Sequence, residues 1–420
     1  MTNRALFPRD LCTCIFAIAC TLGMAQAQTY SVLHNFGGNR DGSYPYDGLT
    51  MDRAGNFYGT TWEGGSNGQG LVFKLYKRNG SWIYSPLYSF RGGNDGAKPY
   101  AGVTIGPDGN LYGTTSTGGQ GAPVCAGGCG TVYKLSPPAN VCQHTSCPWT
   151  ETVIYNFFAS GVGLAGPWAG VIFDHAGNMY GTTPAGGTVH CPNSPGGCGA
   201  VYKLTPAGAQ WTFQLLYSFT GQIDGSIPYA GLVMDAAGNL YGAAYYGVPF
   251  EGYGTIFELV NNGGNYTERT LYAFQGGSDG GNPYSSLTFD SSGNLFGGTS
   301  SANDGMFIGV VFELSPSGNN WNYSAIASLE GGIVQSLTFD TAGNLYGTTL
   351  FGGAHEDGEV FKLSNSGGVW TATDLYDFDN QNRGAFDPWS WVSIDADGNL
   401  FGTTNGGGSI GGGVIWQIAP

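Results

Sequence analysis

One phrase, written seven times, constrains this chain more than any other feature of its sequence. It reads as an apolar stretch, Asp, two residues, Gly-Asn, then Leu, Phe or Met, an aromatic and usually Gly-Thr-Thr. Its Asn falls at Asn56, Asn110, Asn178, Asn239, Asn294, Asn344 and Asn399, 50 to 68 residues apart. Self-similarity at that period belongs to propeller blades or to stacked arrays. In the first unit, Leu49 to Asp52 alternates as a short strand a, Arg53 to Asn56 is a tight turn, and Phe57 to Thr61 is strand b. A Gly-rich loop leads to strand c (Leu71 to Leu75), a second turn spans Lys77 to Gly80, and strand d runs from Trp82 to Phe90. Period-two runs rich in aromatic and β-branched residues, punctuated by Gly, Asn and Asp, form antiparallel hairpins. Four strands per unit make one blade.

The two ends of the chain say that the blades close. The seventh unit stops after its strand c, Val414 to Ile418, and the missing strand d stands at the other end, where Tyr30 to Phe36 matches Ile83 to Phe90 with the Ser-x-Leu-x-x-Phe core kept. A ring closed by the N-terminal strand removes the sheet edges that an open array would expose. The expected fold is therefore all-β: a single seven-bladed β-propeller over residues 28–420, with four antiparallel strands per blade and the last blade completed from the N-terminus.

Residues 1–27 read as a secretory signal, with Arg4 and Arg9 before the apolar run Leu11 to Met24 and the box Ala25-Gln26-Ala27, so cleavage is expected after Ala27. The expected location is secreted, periplasmic or at the cell envelope. Six cysteines follow the signal, and in an exported chain close spacing pairs them locally: Cys125 with Cys129, Cys142 with Cys147, Cys191 with Cys198. No His stands at zinc-ligand spacing beside them, and no metal or cofactor is expected. A net charge of −15 without basic clusters disfavours nucleic acid and anionic membranes as partners. No apolar run after the signal is long enough to insert in a bilayer, and a monomer is expected.

The repeated blocks Asp-x-x-Gly-Asn-Leu-Tyr-Gly-Thr-Thr, Gly-Gly, Val-Phe-Lys-Leu and Leu-Tyr-x-Phe resemble the GloVer tandem repeats of bacterial choice-of-anchor exported proteins. The resemblance runs over essentially the whole chain after the signal. It implies export and a propeller, and it implies no reaction. The chain ends inside a blade strand, which departs from the C-terminal anchors to which that family's name alludes.

The Asp of the repeat (Asp52, Asp174, Asp235, Asp290, Asp340, Asp395) precedes Gly-Asn, where a carboxylate binds the N–H groups of a turn. A structural role is therefore expected for it. Asp395 to Asn399 resembles the start of a calcium loop, but Gly406 stands where the twelfth-position Glu would be. Three Gly-x-Ser-x-Gly matches, around Ser66, Ser278 and Ser409, lie in Gly-rich loops between strands rather than at strand-to-helix turns, and the scattered histidines complete no triad.

The connection from strand d to the next strand a is more informative. It has the form Gly-Gly-x-Asp-Gly-x-x-Pro-Tyr at Gly92 to Tyr100, and five related copies end in Tyr or Trp; the copy before Val334-Gln335-Ser336 has lost its Pro-aromatic pair. Strand order places these connections and the b-to-c loops on one face. Tyr46, Tyr100, Trp168, Tyr229, Tyr284 and Trp389 should then form an incomplete ring near the central opening, with Asp41, Asp95, Asp224, Asp279 and Trp62 nearby. Two readings follow. The ring aromatics are wedges between blades, or they and the carboxylates form a shallow site for a glycan or protein partner. The main functional expectation is a non-catalytic exported binding or scaffold protein. The alternative is a carbohydrate-active enzyme, a polysaccharide lyase or glycoside hydrolase, drawing on Glu63, Glu251, Asp304 and Glu356 of the same face.

Overall fold

The computed structural model describes residues 28–120, 125, 127–138, 149–158, 163–189, 191, 196–247, 252–301 and 308–420. The expected leader 1–27 and the expected Cys142–Cys147 pair lie outside them, as do Glu251 and Asp304.

Seven four-stranded antiparallel sheets follow one another along the chain. Blade 1 is built from Thr50–Met51, Phe57–Thr61, Leu71–Arg78 and Ser81–Ser89, which are strands a to d. In every blade strand a is only two residues long, as in Thr104–Ile105, Ile172–Phe173 and Ser393–Ile394. The described residues contain no α-helix, only 3-10 turns inside d-to-a connections, such as Gly93–Asp95 and Gly277–Asp279.

The N-terminal strand Thr29–Asn35 pairs antiparallel with Val414–Ala419 and completes blade 7. It is a strand d in detail. In every blade the c-to-d ladder carries one register shift, between Val72 and Phe73 in blade 1 and between Val32 and His34 here. Phe36 N donates to Gly413 O at 3.0 Å, as Phe90 N does to Gly70 O.

Packing between blades explains the repeated letters. The Phe that ends strand d lies against the strand c aromatic of the following blade: Phe90 on Tyr133 at 5.0 Å, Phe157 on Tyr202 at 5.2 Å, Phe219 on Phe257 at 5.0 Å. Phe36 on Phe73, at 5.4 Å, makes the same contact across the closure. The strand c aromatic lies over the Gly of Gly-Thr-Thr, and a Cβ at Gly59, Gly113 or Gly181 would run into Phe73, Tyr133 or Tyr202. The first Thr of the triplet reaches the next blade, with Thr60 Oγ1 donating to Ala101 O at 2.9 Å and Thr114 Oγ1 to Ala169 O at 2.9 Å. Thr403 Oγ1 donates to Asp47 O at 3.0 Å to join blade 7 to blade 1. The second Thr turns back on its own loop, as Thr61 does to Glu63 O.

The turn carboxylates have the expected structural role. Asp52 accepts from the N–H groups of Ala54 and Asn56, from the Asn56 amide and from Tyr58 O–H, and these donors hold its pKa below the usual carboxylate range against the upward push of burial. In blade 2, where Gly106 replaces the Asp, Asp108 takes over the bonds to Asn110 and Tyr112.

Removing the N-terminal strand should therefore damage the whole ring. Phe36 is fully buried and Leu33 half-buried, and their contribution alone is about 3 to 5 kcal/mol. A protein beginning at Gly37 should melt several degrees below one beginning at Gln28 and self-associate through the exposed Val414–Ala419 edge. Thermal unfolding and solution mass test this; an unchanged, monomeric protein would refute closure by this strand.

Candidate functional site

Each d-to-a connection pairs briefly with the start of its neighbouring b-to-c loop, as in the bridges Ser43 to Glu63, Ala97 to Thr117 and Ser226 to Tyr246. The two sets of loops therefore share a face, and the chain then dives into strand a beside the central axis. The six expected aromatics meet there. Tyr46 stacks on Tyr100 (4.7 Å), Tyr100 on Trp168 (4.9 Å) and Trp168 on Tyr229 (4.7 Å). Tyr229 and Tyr284 follow at 5.4 Å, Tyr284 and Trp389 at 5.7 Å, and Trp389 returns to Tyr46 at 6.0 Å. The ring is thus closed, although blade 6 contributes no aromatic to it. Tyr100 and Tyr284 also share a hydroxyl hydrogen bond at 3.2 Å. Burial pushes the Tyr100 hydroxyl up to about 12 and raises that of Tyr284 too, so both stay protonated.

The ring forms one end of a central pocket of about 310 Å³, walled by the residues that follow the aromatics into the strands a. That volume is at the lower limit of small-molecule sites. Among the described residues the lining contains one carboxyl group, Asp47, and no Lys, Arg or His. Asp47 Oδ1 accepts from Gly48 N at 2.8 Å and Oδ2 from Gly102 N of the next blade at 2.6 Å. Trp391 lies over both glycines: a Cβ on Gly48 would enter its indole, and one on Gly102 would come within 3.2 Å. Trp391 Nε1 is anchored on Leu49 O at 3.3 Å. Burial raises the Asp47 carboxyl to about 7 despite the two N–H donors.

The other expected site residues stand apart from this pocket. Asp95 accepts from Tyr88 O–H and Arg91 N, Asp224 from Tyr217 O–H and Thr220 N, and Asp279 from Tyr272 O–H and Gln275 N. Asp41 accepts from Gly37 N and pairs with His34 at 3.2 Å. These four carboxylates hold their loops against the end of strand d. Trp62 meets Tyr46 edge-on at 5.8 Å and carries Lys98 over its face, while Lys98 bonds Glu63 at 2.8 Å. Glu356 lines a separate surface pocket beside Phe351. Cys125–Cys129 and Cys191–Cys198 are bonded, with Cα atoms 5.2 and 5.1 Å apart. On the outer part of blade 6, Glu359, Asp374 and Asp377 bring ligand atoms within 4.8 Å of one another and could hold a cation. Burial, with the neighbouring carboxylates, raises Glu359 to about 8. No helix among the described residues is long and apolar enough to cross a membrane.

Sequence reasoning missed Asp47, Trp391 and the pocket role of Gln335. The signal was present as departures from the repeat: the residue after the Pro-aromatic pair is Ala at Ala101, Ala169 and Ala230 but Asp at Asp47, and the next is Gly at Gly102, Gly170 and Gly231 but Trp at Trp391.

A family model described as the Gloeobacter/Verrucomicrobia repeat matches residues 15–146, 125–336 and 308–420. No curated protein sequence matches the chain. Among solved structures, a putative 6-phosphogluconolactonase from Bacteroides uniformis aligns with a TM-score of 0.50 at 15% identity, over 85% of this chain and 89% of its own. A gluconolactonase from Xanthomonas campestris has a TM-score of 0.42 at 11% identity, over 93% and 89% of the two chains. A putative glucose dehydrogenase from Thermus thermophilus has 0.43 at 15%, over 93% and 100%. At these identities the likeness concerns the fold. These propellers carry the names of enzymes, which is said of them and not of this chain. The expectation of a non-catalytic glycan- or protein-binding module is corrected on the geometry of the site itself. The physical reason is local: four of the aromatics that were to form an open platform stack on one another, and the pocket they bound holds a carboxyl that burial raises to about 7.

Because Trp168 stacks on both neighbours in the ring, Trp168→Ala should cost about 2 to 4 kcal/mol, measured as a lowered urea midpoint. A midpoint unchanged from wild type would show that the ring contributes nothing to holding the blades.

Proposed function

The chain belongs to the Gloeobacter/Verrucomicrobia repeat family, and we propose, from its central pocket, that it is a carbohydrate-active hydrolase whose pocket takes an uncharged sugar ester or lactone. The observation that carries this reading is Asp47, the one carboxyl among the described residues that line the pocket, with a pKa of about 7. A general base works best when its pKa lies near the operating pH, because it is then both ionised and basic enough to take a proton. Asp47 as carboxylate takes a proton from water, the water oxygen adds to the carbonyl carbon, and the proton passes to the leaving oxygen as the ester C–O bond breaks. The products are a carboxylic acid and a hydroxyl group.

The pocket also separates this reading from its rivals. Glycosidic cleavage uses two carboxyl groups flanking the bond, and the described lining supplies one. A lyase acting on uronates, or an enzyme for a phosphorylated sugar, needs a positive partner for the anion, and the described lining has none. The two bonded cysteine pairs fit an exported enzyme, in line with the leader expected at residues 1–27.

The test is a panel of neutral sugar lactones and esters, with glycosides and uronates beside them. Turnover of the first group should rise with pH through about 7 and level off above it, since the base must be ionised. Asp47→Asn should lower kcat by roughly a hundredfold or more while the protein stays folded. Turnover that is flat across this range, or that survives Asp47→Asn, would remove Asp47 from the reaction.

A further inference from the structure

The innermost wall of the propeller is not uniform around the ring. After the aromatic position the chain carries Ala101, Ala169 and Ala230 in blades 2 to 4, but Gln335 in blade 6, where the aromatic itself is replaced by Val334. One residue further, blades 1 to 4 carry Gly, whereas blades 5 and 6 carry Ser286 and Ser336. Blades 3 and 4 therefore present small, apolar surface to the pocket, and blades 5 and 6 present side-chain donors.

Gln335 is only 5% exposed, it lines the pocket, and its Nε2 has no partner in the protein. Its backbone is fixed, with Gln335 N donating to Thr348 O at 2.9 Å. A buried amide N–H without an acceptor is unfavourable, and blades 2 to 4 avoid it with Ala at the same position. The two serines beside it are also set to donate. Ser286 Oγ accepts from Gly231 N at 3.0 Å and Ser336 Oγ accepts from Ser286 N at 3.0 Å, which leaves each hydroxyl proton for another acceptor. All three residues line the pocket that holds Asp47, which lies two blades round the ring from Gln335 and Ser336 and three from Ser286.

We infer that Gln335, Ser286 and Ser336 form the donor site for the carbonyl oxygen of the substrate. The inference rests on the hydrolase reading and names the group that the polar arc receives. When water adds to the carbonyl carbon, the π electron pair moves onto the carbonyl oxygen, and neutral donors on this arc of the pocket stabilise the charge as it develops. The pair returns when the C–O bond to the leaving oxygen breaks. Three donors without a cation suit an uncharged carbonyl better than a pre-formed anion, which separates this site from one for phosphate or uronate.

The probes are glucono-delta-lactone as substrate and gluconolactam, its non-hydrolysable analogue, as ligand, with binding read from the tryptophan fluorescence of the pocket, where Trp168, Trp389 and Trp391 lie. Gln335→Met keeps the length of the side chain and removes the donor; Ser336→Ala is the second variant. Each should weaken gluconolactam binding by about tenfold, with the melting temperature unchanged, and lower kcat for the lactone. No lactam binding by wild type, or unchanged affinity in both variants, overturns the donor site. Lactam binding that depends on Gln335 without any lactone turnover would refute the hydrolase reading and leave the donor site standing. Turnover that depends on Asp47 but not on Gln335 or Ser336 would do the reverse.

Discussion

Closure of the ring depends on one contact made repeatedly: the Phe at the end of a strand d against the aromatic of strand c in the next blade. The contact is heterologous, head to tail, so it terminates only if the last blade meets the first. Phe36 supplies that meeting on Phe73, and Thr403 supplies the matching hydrogen bond to Asp47 O. The geometry also fixes the rest of the motif. An aromatic laid flat over strand b leaves no room for a side chain at Gly59 or its equivalents, and the Thr after that Gly is then carried to where its hydroxyl reaches the neighbouring blade. Three letters of the repeat thus have one cause.

Because strand a is two residues long, the hub of the propeller is made of side chains and carbonyl groups rather than of a long ladder. Thr50 donates to Val103 O, Thr104 to Val171 O and Ser393 to Leu49 O, so the innermost strands of blades 1, 2 and 7 are each stitched to the next. The ring of six aromatics, four of them stacked, completes this hub at one end. They pack between neighbouring blades, as the wedge reading expects, and they bound a pocket. What they do not form is an open, shallow platform, because their faces are occupied by one another.

The repeat made the fold legible. Blade number, strand order, the offset of the N-terminal strand and the turn role of Asp52 or Asp174 all follow from comparing copies, since residues that recur serve what recurs. The same reasoning reads the site poorly. Asp95, Asp224 and Asp279 attracted attention because they recur in a loop with aromatics, and recurrence is why they serve the loop, each bound by a Tyr of its own strand d. A ring of seven blades has one axis and therefore one central pocket, so what distinguishes that pocket comes from residues that break the repeat. Asp47, Gln335 and Trp391 do so, each at a single blade, inside stretches that otherwise align well. They carry no motif, and only the convergence of distant blades on the axis shows that they share a space.

Asp47 also costs the protein something, which strengthens the argument that it is there for chemistry. Its folded pKa, about 7, is above its value in an unfolded chain, so the folded state binds the proton more tightly. The stability that this group lends is complete below the unfolded pKa near 4 and is lost as pH rises from there through about 7, on the order of 4 kcal/mol at most. Ala at the same position in blades 2 to 4 carries no such penalty. The unpaired amide of Gln335 is a second cost of the same kind, in the same pocket. Two unfavourable polar groups facing one cavity, in a ring whose other blades show how to avoid both, are easier to account for as a site for a substrate than as parts of a scaffold.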